Sequence, residues 1–204
     1  FNTAQDHKRV GEGDTGKNTG GMGAYSPSGL INKDLDLKII ESVVKPTFKA
    51  IEEMGKTYKG FLYVGLMIKE NKPYLIEYNV RMGDPECQVL MMKLKTDLLS
   101  IIEATINNSL SKLKIEWDNK KSITIVLCAK GYPGEFKKDT EIKGLEDIKT
   151  SQSLQVFHAA TIESDKKILA NGGRVLNVTC RQNNLAKAQK EAYKAIKLID
   201  LSLI

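Results

Sequence analysis

The sequence predicts an α+β fold, an antiparallel sheet with helices followed by a small mixed α/β domain. Two neighbouring runs, 60–69 and 74–81, read as strands and are separated by the turn-forming stretch 70–73, which is typical of an antiparallel hairpin. Apolar residues over 34–54 recur with a helical period. After residue 121 the pattern changes to short strands and one final amphipathic helix.

The segment 5–29 is rich in glycine and is predicted to be a loop. The first helix follows at about 34–54. Pro46 lies inside its pattern and should kink or interrupt it, and Gly55 is a plausible stop. The apolar residues that define the helical period are Leu37, Ile40, Val44, Phe48 and Ile51.

A second helical region is predicted after the hairpin. Asp84 reads as its N-cap, with Pro85 at the first helical position, and the helix should run, with a break, to about Asn108. The polar, lysine-rich stretch 111–121 is the best candidate for a boundary, so we expect domains at 1–113 and 114–204.

The second domain is predicted to consist of short strands and one helix. The strands are expected at 122–129, 154–162 and 174–179, with a turn at 130–134. The final helix should cover about 185–198, and one of its sides is apolar: Ala188, Ala192, Ala195, Ile196 and Ile199.

Composition excludes several classes of protein. The 204 residues carry a net charge of +6, but lysines dominate, are spread along the chain and lack interleaved aromatic residues. This favours a solvated surface that attracts anionic substrates, rather than a nucleic-acid partner. No run approaches the roughly 20 apolar residues of a membrane span. The three cysteines are far apart, which fits a reducing cytoplasm. The chain begins at Phe1 rather than Met, so we expect a fragment.

The stretch 75–86 carries the first chemical signal. On a β-strand, alternation would place Glu77, Asn79 and Arg81 on one face. Two oxygen-bearing groups and a cation in that arrangement suit a metal-bound phosphate. The alternative is a strand with an ordinary solvated polar face.

The glycine-rich segment is the second signal. Glycines allow backbone N–H groups to approach an anion closely, since no Cβ intervenes. Asp14, Asn18, Thr19 and Ser26 lie among them and could orient a small polar substrate. A glycine-rich segment by itself is weak evidence, because many are only turns.

Together, the runs 5–27 and 75–86 resemble the glycinamide ribonucleotide synthetase (phosphoribosylamine–glycine ligase) family of ATP-grasp enzymes. Four further motifs agree in order and spacing: 60–67, 130–133, 157–161 and 171–176. Departures are small: Ala160 stands where the family usually has glycine, and Met82 replaces a common phenylalanine. The strand before Glu77 also lacks the further metal-binding carboxylate that many ATP-grasp relatives carry.

The resemblance implies the C-terminal half of an ATP-grasp module, then the family's C-terminal domain, truncated at its end. The N-terminal half of the same enzyme, with its phosphate-covering lid and adenine hinge, would be missing. We therefore expect this chain to be inactive alone.

The implied reaction joins glycine to 5-phosphoribosylamine with ATP, giving glycinamide ribonucleotide, ADP and phosphate through a glycyl phosphate, in purine biosynthesis. Phosphoryl transfer depends on alignment and charge neutralisation more than on a protein nucleophile. Glu77 and Asn79 match the family's ligands for Mg²⁺ or Mn²⁺.

Other roles also follow from the resemblance. Arg81 would stabilise the transferring phosphoryl group or hold the glycine carboxylate, unless it forms an ion pair with Asp84 or Glu86. Asp14 would receive the ammonium group of glycine, with a turn cap as the alternative. The substrate pocket would be lined through backbone N–H groups by Asn18, Thr19, Gly20, Gly21, Met22 and Gly23.

The C-terminal domain supplies one further candidate. Arg174 would bind the ribose phosphate or close the site, and the alternative is an interdomain salt bridge. Lys130 and His158 are weaker candidates, because a histidine there is more often packed than catalytic.

Two rival functions stay open at this point. One is another ATP-grasp carboxylate–amine ligase, and the other is a non-catalytic ligand-binding module. If the chain is part of a glycinamide ribonucleotide synthetase, the expected partners are small molecules and the missing half of the enzyme, with no nucleic acid and no membrane.

Overall fold

The computed structural model describes residues 2–200, and Phe1 and residues 201–204 lie outside the described part. Contacts divide the chain into two compact units. The first unit combines residues 2–27, Asp84–Leu94 and 118–200, and the second combines Ser28–Gly83 and Lys95–Trp117. The predicted domains 1–113 and 114–204 stay a prediction, because each compact unit combines separate stretches of the chain and neither unit corresponds to one continuous domain.

The structure has strands throughout both units. Their bounds are β1 Gln5–Asp6, β2 Arg9–Gly11, β3 Thr15–Asn18, β4 Gly23–Ser26, β5 Tyr63–Lys69, β6 Lys72–Asn79, β7 Lys121–Cys128, β8 Thr140–Ile142, β9 Leu154–His158, β10 Thr161–Ser164, β11 Lys167–Ala170 and β12 Arg174–Gln182. The α-helices are α1 Lys33–Ile39, α2 Lys45–Glu53, α3 Glu86–Met91, α4 Leu98–Ile106 and α5 Leu185–Ile196.

A five-stranded antiparallel sheet organises the first unit. Its strand order is β1-β4-β7-β12-β9, so two strands of the glycine-rich segment join this sheet: β1 pairs with β4, and β4 pairs with β7, which follows residue 120. The prediction that 5–29 is only a loop is therefore wrong. Strand β4 gains stability from long-range pairing with β7, which no local pattern reveals, and β1 pairs with β4.

One face of this sheet carries the apolar core. Val175, Leu176 and Val178 are fully buried and pack with the apolar side of α5. The side predicted for the final helix is confirmed, since its members are buried: Ala188, Ala192, Ala195, Ile196 and Ile199. Asn184 caps this helix by accepting a hydrogen bond from the Lys187 N–H.

The other face is polar yet buried. Thr124 and Thr179 lie opposite each other and their hydroxyls are 2.7 Å apart. Asn177 follows the same alternation on β12 and is 1% exposed. Helix α3 packs against β4, β7 and β12. A three-stranded sheet, ordered β10-β11-β8, and the β2-β3 hairpin complete the unit. The predicted strand 154–162 is thus two strands in different sheets.

The second unit holds the first helical region and the hairpin. A π-helical segment, Ile40–Val44, separates α1 from α2, and Pro46 falls in the first turn of α2, so the predicted interruption is confirmed. The Gly55 N–H bonds to Glu52 and the Lys56 N–H to Ile51, which ends α2 in a Schellman motif with Gly55 at φ +68°.

The buried stripe of this helical region differs from the predicted one. Leu35, Ile39 and Val43 are buried, whereas Leu37 is 59% and Phe48 44% exposed. Apolar residues occur on two adjacent stripes of the helix, and packing against the rest of the unit selects one of them.

The hairpin β5-β6 is confirmed, but its bounds shift. Glu70 and Asn71 form the turn with φ of 51° and 58°, and β6 begins at Lys72 and ends at Asn79. A two-residue turn with both φ values positive matches the twist of an antiparallel hairpin. Arg81 therefore lies beyond the strand on which the sequence placed it.

Candidate functional site

Glu77 and Asn79 lie side by side near the end of β6. The Asn79 carboxamide nitrogen stands 3.4 Å from a carboxylate oxygen of Glu77. A bulge precedes the pair, because Gly65 opposes Glu77 while Leu66 opposes Leu75. A Cβ on Gly65 would lie 3.0 Å from the Glu77 Cγ, so glycine on the neighbouring strand leaves room for this side chain. The two-residue alternation thus brings both side chains to one face, as the sequence predicts.

The chemistry of this pair fits a hard divalent cation. Both side chains offer oxygen, which Mg²⁺ prefers, and the two atoms of an amide exchange places when the amide is flipped. Within residues 2–200, no three or more His, Cys, Asp and Glu side chains gather where they could hold a metal ion. A cation here would depend on phosphate and water for its other ligands, as Mg²⁺ in phosphoryl-transfer sites usually does.

Arg81 occupies the loop that follows β6. Its side chain is exposed, and one guanidinium nitrogen donates to the Met82 carbonyl at 2.9 Å. The premise that it shares a strand face with Glu77 is wrong, because the strand ends two residues earlier. Its predicted catalytic role loses the support of that shared face, still follows from the family resemblance, and stays a prediction.

Asp14 occupies the turn between β2 and β3. It adopts φ 60°, a left-handed conformation that aspartate tolerates better than most residues, and it is exposed. This geometry accounts for an aspartate by turn formation alone. Binding of an ammonium group at Asp14 remains a prediction.

The backbone N–H groups of the predicted substrate segment are already bonded within the chain. Thr19 donates to the Lys8 carbonyl at 2.7 Å, Gly21 to the Thr19 hydroxyl at 3.0 Å, and Met22 to the His7 carbonyl at 2.8 Å. The Gly20 N–H donates to the Tyr132 hydroxyl at 2.9 Å. The expectation that these four N–H groups face the substrate is therefore wrong. A role for residues 18–23 through other atoms stays a prediction.

Arg174 makes a salt bridge with Asp84, but both residues belong to the first compact unit, so the interdomain bridge that the sequence left as its alternative role is not shown. One guanidinium nitrogen donates to the Gly20 carbonyl at 2.9 Å and to the Asp84 carbonyl at 2.7 Å, and the other donates to the Asp84 carboxylate at 2.9 Å. Its side chain is only 22% exposed. A guanidinium has five N–H donors, so a role in phosphate binding stays a prediction.

Asp84 is not the N-cap of the helix that follows it. Pro85 holds that position and makes no capping bond, and α3 begins at Glu86. The Asp84 carboxylate instead receives Arg174 on one oxygen and the Gln88 amide at 2.9 Å on the other. The demand of a long-range cation outweighs the local capping preference, since charge-assisted hydrogen bonds are the stronger kind.

Tyr132 is the residue that sequence reasoning missed. It lies in the motif 130–133, which was noted for its resemblance, yet its hydroxyl was given no partner. Only the fold brings it to Gly20, 112 positions away in sequence. His158, by contrast, is exposed and its Nδ1 lies 2.8 Å from the Thr161 hydroxyl, a local pairing.

The buried Lys93 and the half-buried Cys128, near the polar face, have shifted pKa values. Burial raises the pKa of the Cys128 thiol to about 11, although the nearby Arg174 guanidinium opposes the shift. Burial also lowers the pKa of Lys93, helped by Lys121 and opposed by Asp118. The thiol is therefore protonated at neutral pH and is not a nucleophile.

Two general features complete the description. A shallow apolar concavity lies between the π-helical segment, α2 and β6, and none of the predicted site residues lines it. Over residues 2–200 no helix combines the length and the apolar character needed to cross a membrane.

Comparison with known proteins identifies the family. Residues 1–87 match the model of the phosphoribosylglycinamide synthetase ATP-grasp (A) domain, and residues 122–203 match the model of the C domain of the same synthetase. The chain belongs to the phosphoribosylglycinamide synthetase family. The resemblance found in the sequence motifs is confirmed.

Two relatives show how much of the synthetase the chain represents. A phosphoribosylamine–glycine ligase of Brucella melitensis is 46% identical over 198 residues, which are 97% of this chain and 46% of the relative. A crystal structure of the ligase from Thermotoga maritima superposes with a TM-score of 0.76 at 32% identity, covering 96% of this chain and 48% of that one. The chain thus spans about half the length of these relatives.

A more distant structure supports the fold of this synthetase family member. A biotin carboxylase domain of a thermophilic 2-oxoglutarate carboxylase, bound to ADP, reaches a TM-score of 0.64 at 18% identity over 90% of this chain. At that identity the likeness shows the fold alone. The predicted class, an α+β portion of an ATP-grasp protein, is confirmed.

Proposed function

We propose that the protein containing this chain is a phosphoribosylamine–glycine ligase. It would join glycine to 5-phosphoribosylamine through a glycyl phosphate: the γ-phosphoryl group of ATP would pass to the glycine carboxylate, leaving ADP, and the amine would then displace phosphate. The observation that carries the proposal is the match of the chain, in order, to the A and C domain models of one synthetase family. Relatives with that name are 46–49% identical over at least 94% of the chain, which supports a shared activity.

The proposed metal site is the Glu77–Asn79 pair. Their oxygens would hold Mg²⁺ or Mn²⁺, and the ion when bound would neutralise charge on the phosphates of ATP. The adjacency of the two side chains and the space left by Gly65 support this assignment. Because no three His, Cys, Asp or Glu side chains of residues 2–200 gather where they could hold a metal ion, phosphate oxygens and water would complete the shell.

Arg81 is the proposed partner of the transferring phosphoryl group or of the glycine carboxylate. Among the described residues, its exposed guanidinium donates one hydrogen bond, to the Met82 carbonyl, so several of its five N–H groups could still bind an anion. Asp14 is proposed to receive the glycine ammonium group, an interaction of opposite charges that its exposed carboxylate permits.

The segment 18–23 and Arg174 are the proposed contacts for the remaining substrate groups. Since the N–H groups of residues 19–22 are taken, contacts from this segment would come from side chains such as Asn18 and from carbonyl oxygens. Arg174 retains Nε and one further N–H for a ribose phosphate while it holds Asp84.

The test is ADP release by the full-length protein. We expect release that requires glycine, 5-phosphoribosylamine and a divalent cation together. Aspartate or bicarbonate in place of glycine should give none. Release driven by another carboxylate or amine would make the protein a different ATP-grasp ligase, and binding of ATP without turnover would make it a non-catalytic module.

Partners and location follow from the same proposal. The partners are small molecules and the rest of the polypeptide, which the length of the relatives leads us to expect. We propose the cytoplasm as the location, because Cys87, Cys128 and Cys180 are all free thiols. Fractionation of cells that express the tagged full-length protein would test this.

A further inference from the structure

We infer that Tyr132 and Arg174 are positioning residues that together hold the peptide backbone at Gly20. This inference rests on the proposed function for its catalytic consequence, because Gly20 lies in the segment assigned to substrate binding. The holding itself is independent of that function. Both residues belong to the first compact unit, as does Gly20.

The two contacts engage both polar groups of one residue. The Gly20 N–H donates to the Tyr132 hydroxyl at 2.9 Å, and the Gly20 carbonyl accepts from the Arg174 guanidinium at 2.9 Å. The N–H belongs to the peptide plane before Gly20 and the carbonyl to the plane after it. Fixing both groups therefore fixes two successive peptide planes, which a flexible glycine would otherwise leave free.

The side chains that hold Gly20 are themselves seated by close packing. A Cβ on Gly173 would lie 2.3 Å from Tyr132 Cδ2, so the tyrosine ring rests directly on that glycine. A Cβ on Gly20 would lie 3.0 Å from the Arg174 Cζ, so the guanidinium rests directly on Gly20. Two adjacent residues thus contribute to holding Gly20: Gly173 packs against the Tyr132 ring, and Arg174 binds the Gly20 carbonyl.

A second layer of contacts orients the guanidinium. Asp84 accepts from Arg174 through both its carbonyl and its carboxylate, and Gln88 donates to the remaining carboxylate oxygen. These bonds are charge-assisted and the arginine is only 22% exposed, so they are stronger than ordinary surface pairs. A planar fork makes these contacts in fixed geometry, which a lysine cannot reproduce.

The consequence is a segment 18–23 whose shape is set by residues far away in sequence. A substrate-positioning element that shifts loses contacts with the substrate that it binds. Loss of either contact should therefore raise the KM of the substrate that this segment binds, while the KM of ATP is unchanged. A purely structural role would instead lower the amount of folded protein without this selectivity.

The experiment uses the full-length protein and three variants. Tyr132→Phe removes the hydroxyl and keeps the ring on Gly173, and Arg174→Lys keeps the charge and loses the fork. Tyr193→Phe is the matched control, since this tyrosine lies on α5 and is 48% exposed. Each protein is examined by hydrogen–deuterium exchange of the segment 18–23 and by steady-state kinetics, after circular dichroism has verified folding.

We expect exchange at the Gly20 amide to rise about tenfold in Tyr132→Phe, as expected for loss of one hydrogen bond, with amides of β12 unchanged. The KM for glycine or 5-phosphoribosylamine should rise threefold or more in both variants. Tyr193→Phe should match the wild type in both assays.

Unchanged exchange over 18–23 in both variants would overturn the inference. A raised KM for 5-phosphoribosylamine in Arg174→Lys without faster exchange would also overturn it for Arg174 and would indicate direct binding of the phosphate. If the wild type shows no glycine-dependent turnover, the proposed function fails, and the exchange arm still decides whether Gly20 is held.

Discussion

Replacement of Gly21 by alanine should destabilise the protein more than replacement of Gly13 or Gly29, the two glycines that serve as matched controls. Gly21 adopts φ +123°, and an added Cβ would lie 2.5 Å from the Pro85 Cδ and 2.8 Å from a carboxylate oxygen of Asp6. Neither neighbour moves easily, because one is a proline ring and the other is a carboxylate 8% exposed and 2.6 Å from the Lys8 ammonium.

The expected loss of stability is the sum of three contributions. The positive φ costs a residue with a Cβ about 1–3 kcal/mol. Overpacking against two immobile groups costs about 1–3 kcal/mol more, and the reduced entropy of the unfolded chain returns about 0.4–1 kcal/mol. We therefore expect Gly21→Ala to lower the free energy of unfolding by about 3 kcal/mol.

Two other glycines separate the contributions. Gly13 has φ +68° with no atom within 4 Å of an added Cβ, so Gly13→Ala should show the backbone cost alone, about 1 kcal/mol. Gly29 has neither a positive φ nor a close neighbour, so Gly29→Ala should be neutral or slightly stabilising.

Urea denaturation of the full-length protein, followed by circular dichroism, measures the series. The midpoint should fall in the order Gly29→Ala, Gly13→Ala, Gly21→Ala, with the last clearly lowest. A Gly21→Ala midpoint equal to that of Gly13→Ala, at an unchanged slope, would refute the close approach of Pro85 and Asp6.

Three further predictions concern single side chains of the full-length protein. Glu77→Gln should lower kcat/KM at least about tenfold and raise the Mg²⁺ concentration for half-maximal activity, whereas Glu70→Gln, in the exposed hairpin turn, should change neither. The same Mg²⁺ dependence in Glu77→Gln and the wild type would contradict the metal assignment. Lys93→Met should stabilise the protein at neutral pH by about 1.4 kcal/mol for each unit by which burial depresses the lysine pKa. Lys93 loses its proton at lower pH in the native than in the unfolded protein, so the wild type gains stability as the pH rises from the native pKa to the unfolded value of 10.5. Urea midpoints should therefore show that the advantage of Lys93→Met disappears above pH 10.5. An advantage that is the same at every pH would refute burial of the charged lysine as its cause. Cys128 should react with iodoacetamide about 100-fold more slowly at pH 8 than an ordinary thiol, because its pKa rises from 9.0 to about 11, and mass spectrometry showing equal rates in native and unfolded protein would contradict its burial.

Local patterns predict the second unit better than the first. The hairpin of β5 and β6, the break near Pro46 and the stop at Gly55 all follow from turn and helix rules that act over a few residues. The end of β6 is less predictable, because β6 stops at Asn79, which lies opposite Tyr63, the first residue of β5. Arg81 therefore lies beyond the paired strand, while Glu77 and Asn79 share one face.

The glycine-rich segment shows the limit of local patterns. Its composition predicts a loop, yet β1 and β4 join a sheet with β7, whose residues lie about 100 positions later in sequence. Its N–H groups were expected to face a substrate, but the same folding directs them to carbonyls and hydroxyls within the chain. Residue types do not predict which backbone N–H groups are already bonded within the chain, because that depends on which acceptor the fold places beside each N–H group.

By itself the sequence determined the family, through six motifs in register, and the adjacency of Glu77 and Asn79, through the two-residue period of a strand. It also determined the buried side of α5, through the helical period. Tertiary structure alone decided that Arg174 pairs with Asp84 and that Tyr132 meets Gly20. The physical reason is range: strand and helix periods act between near neighbours, whereas a hydrogen bond between residues 112 positions apart exists only once the sheet between them has formed.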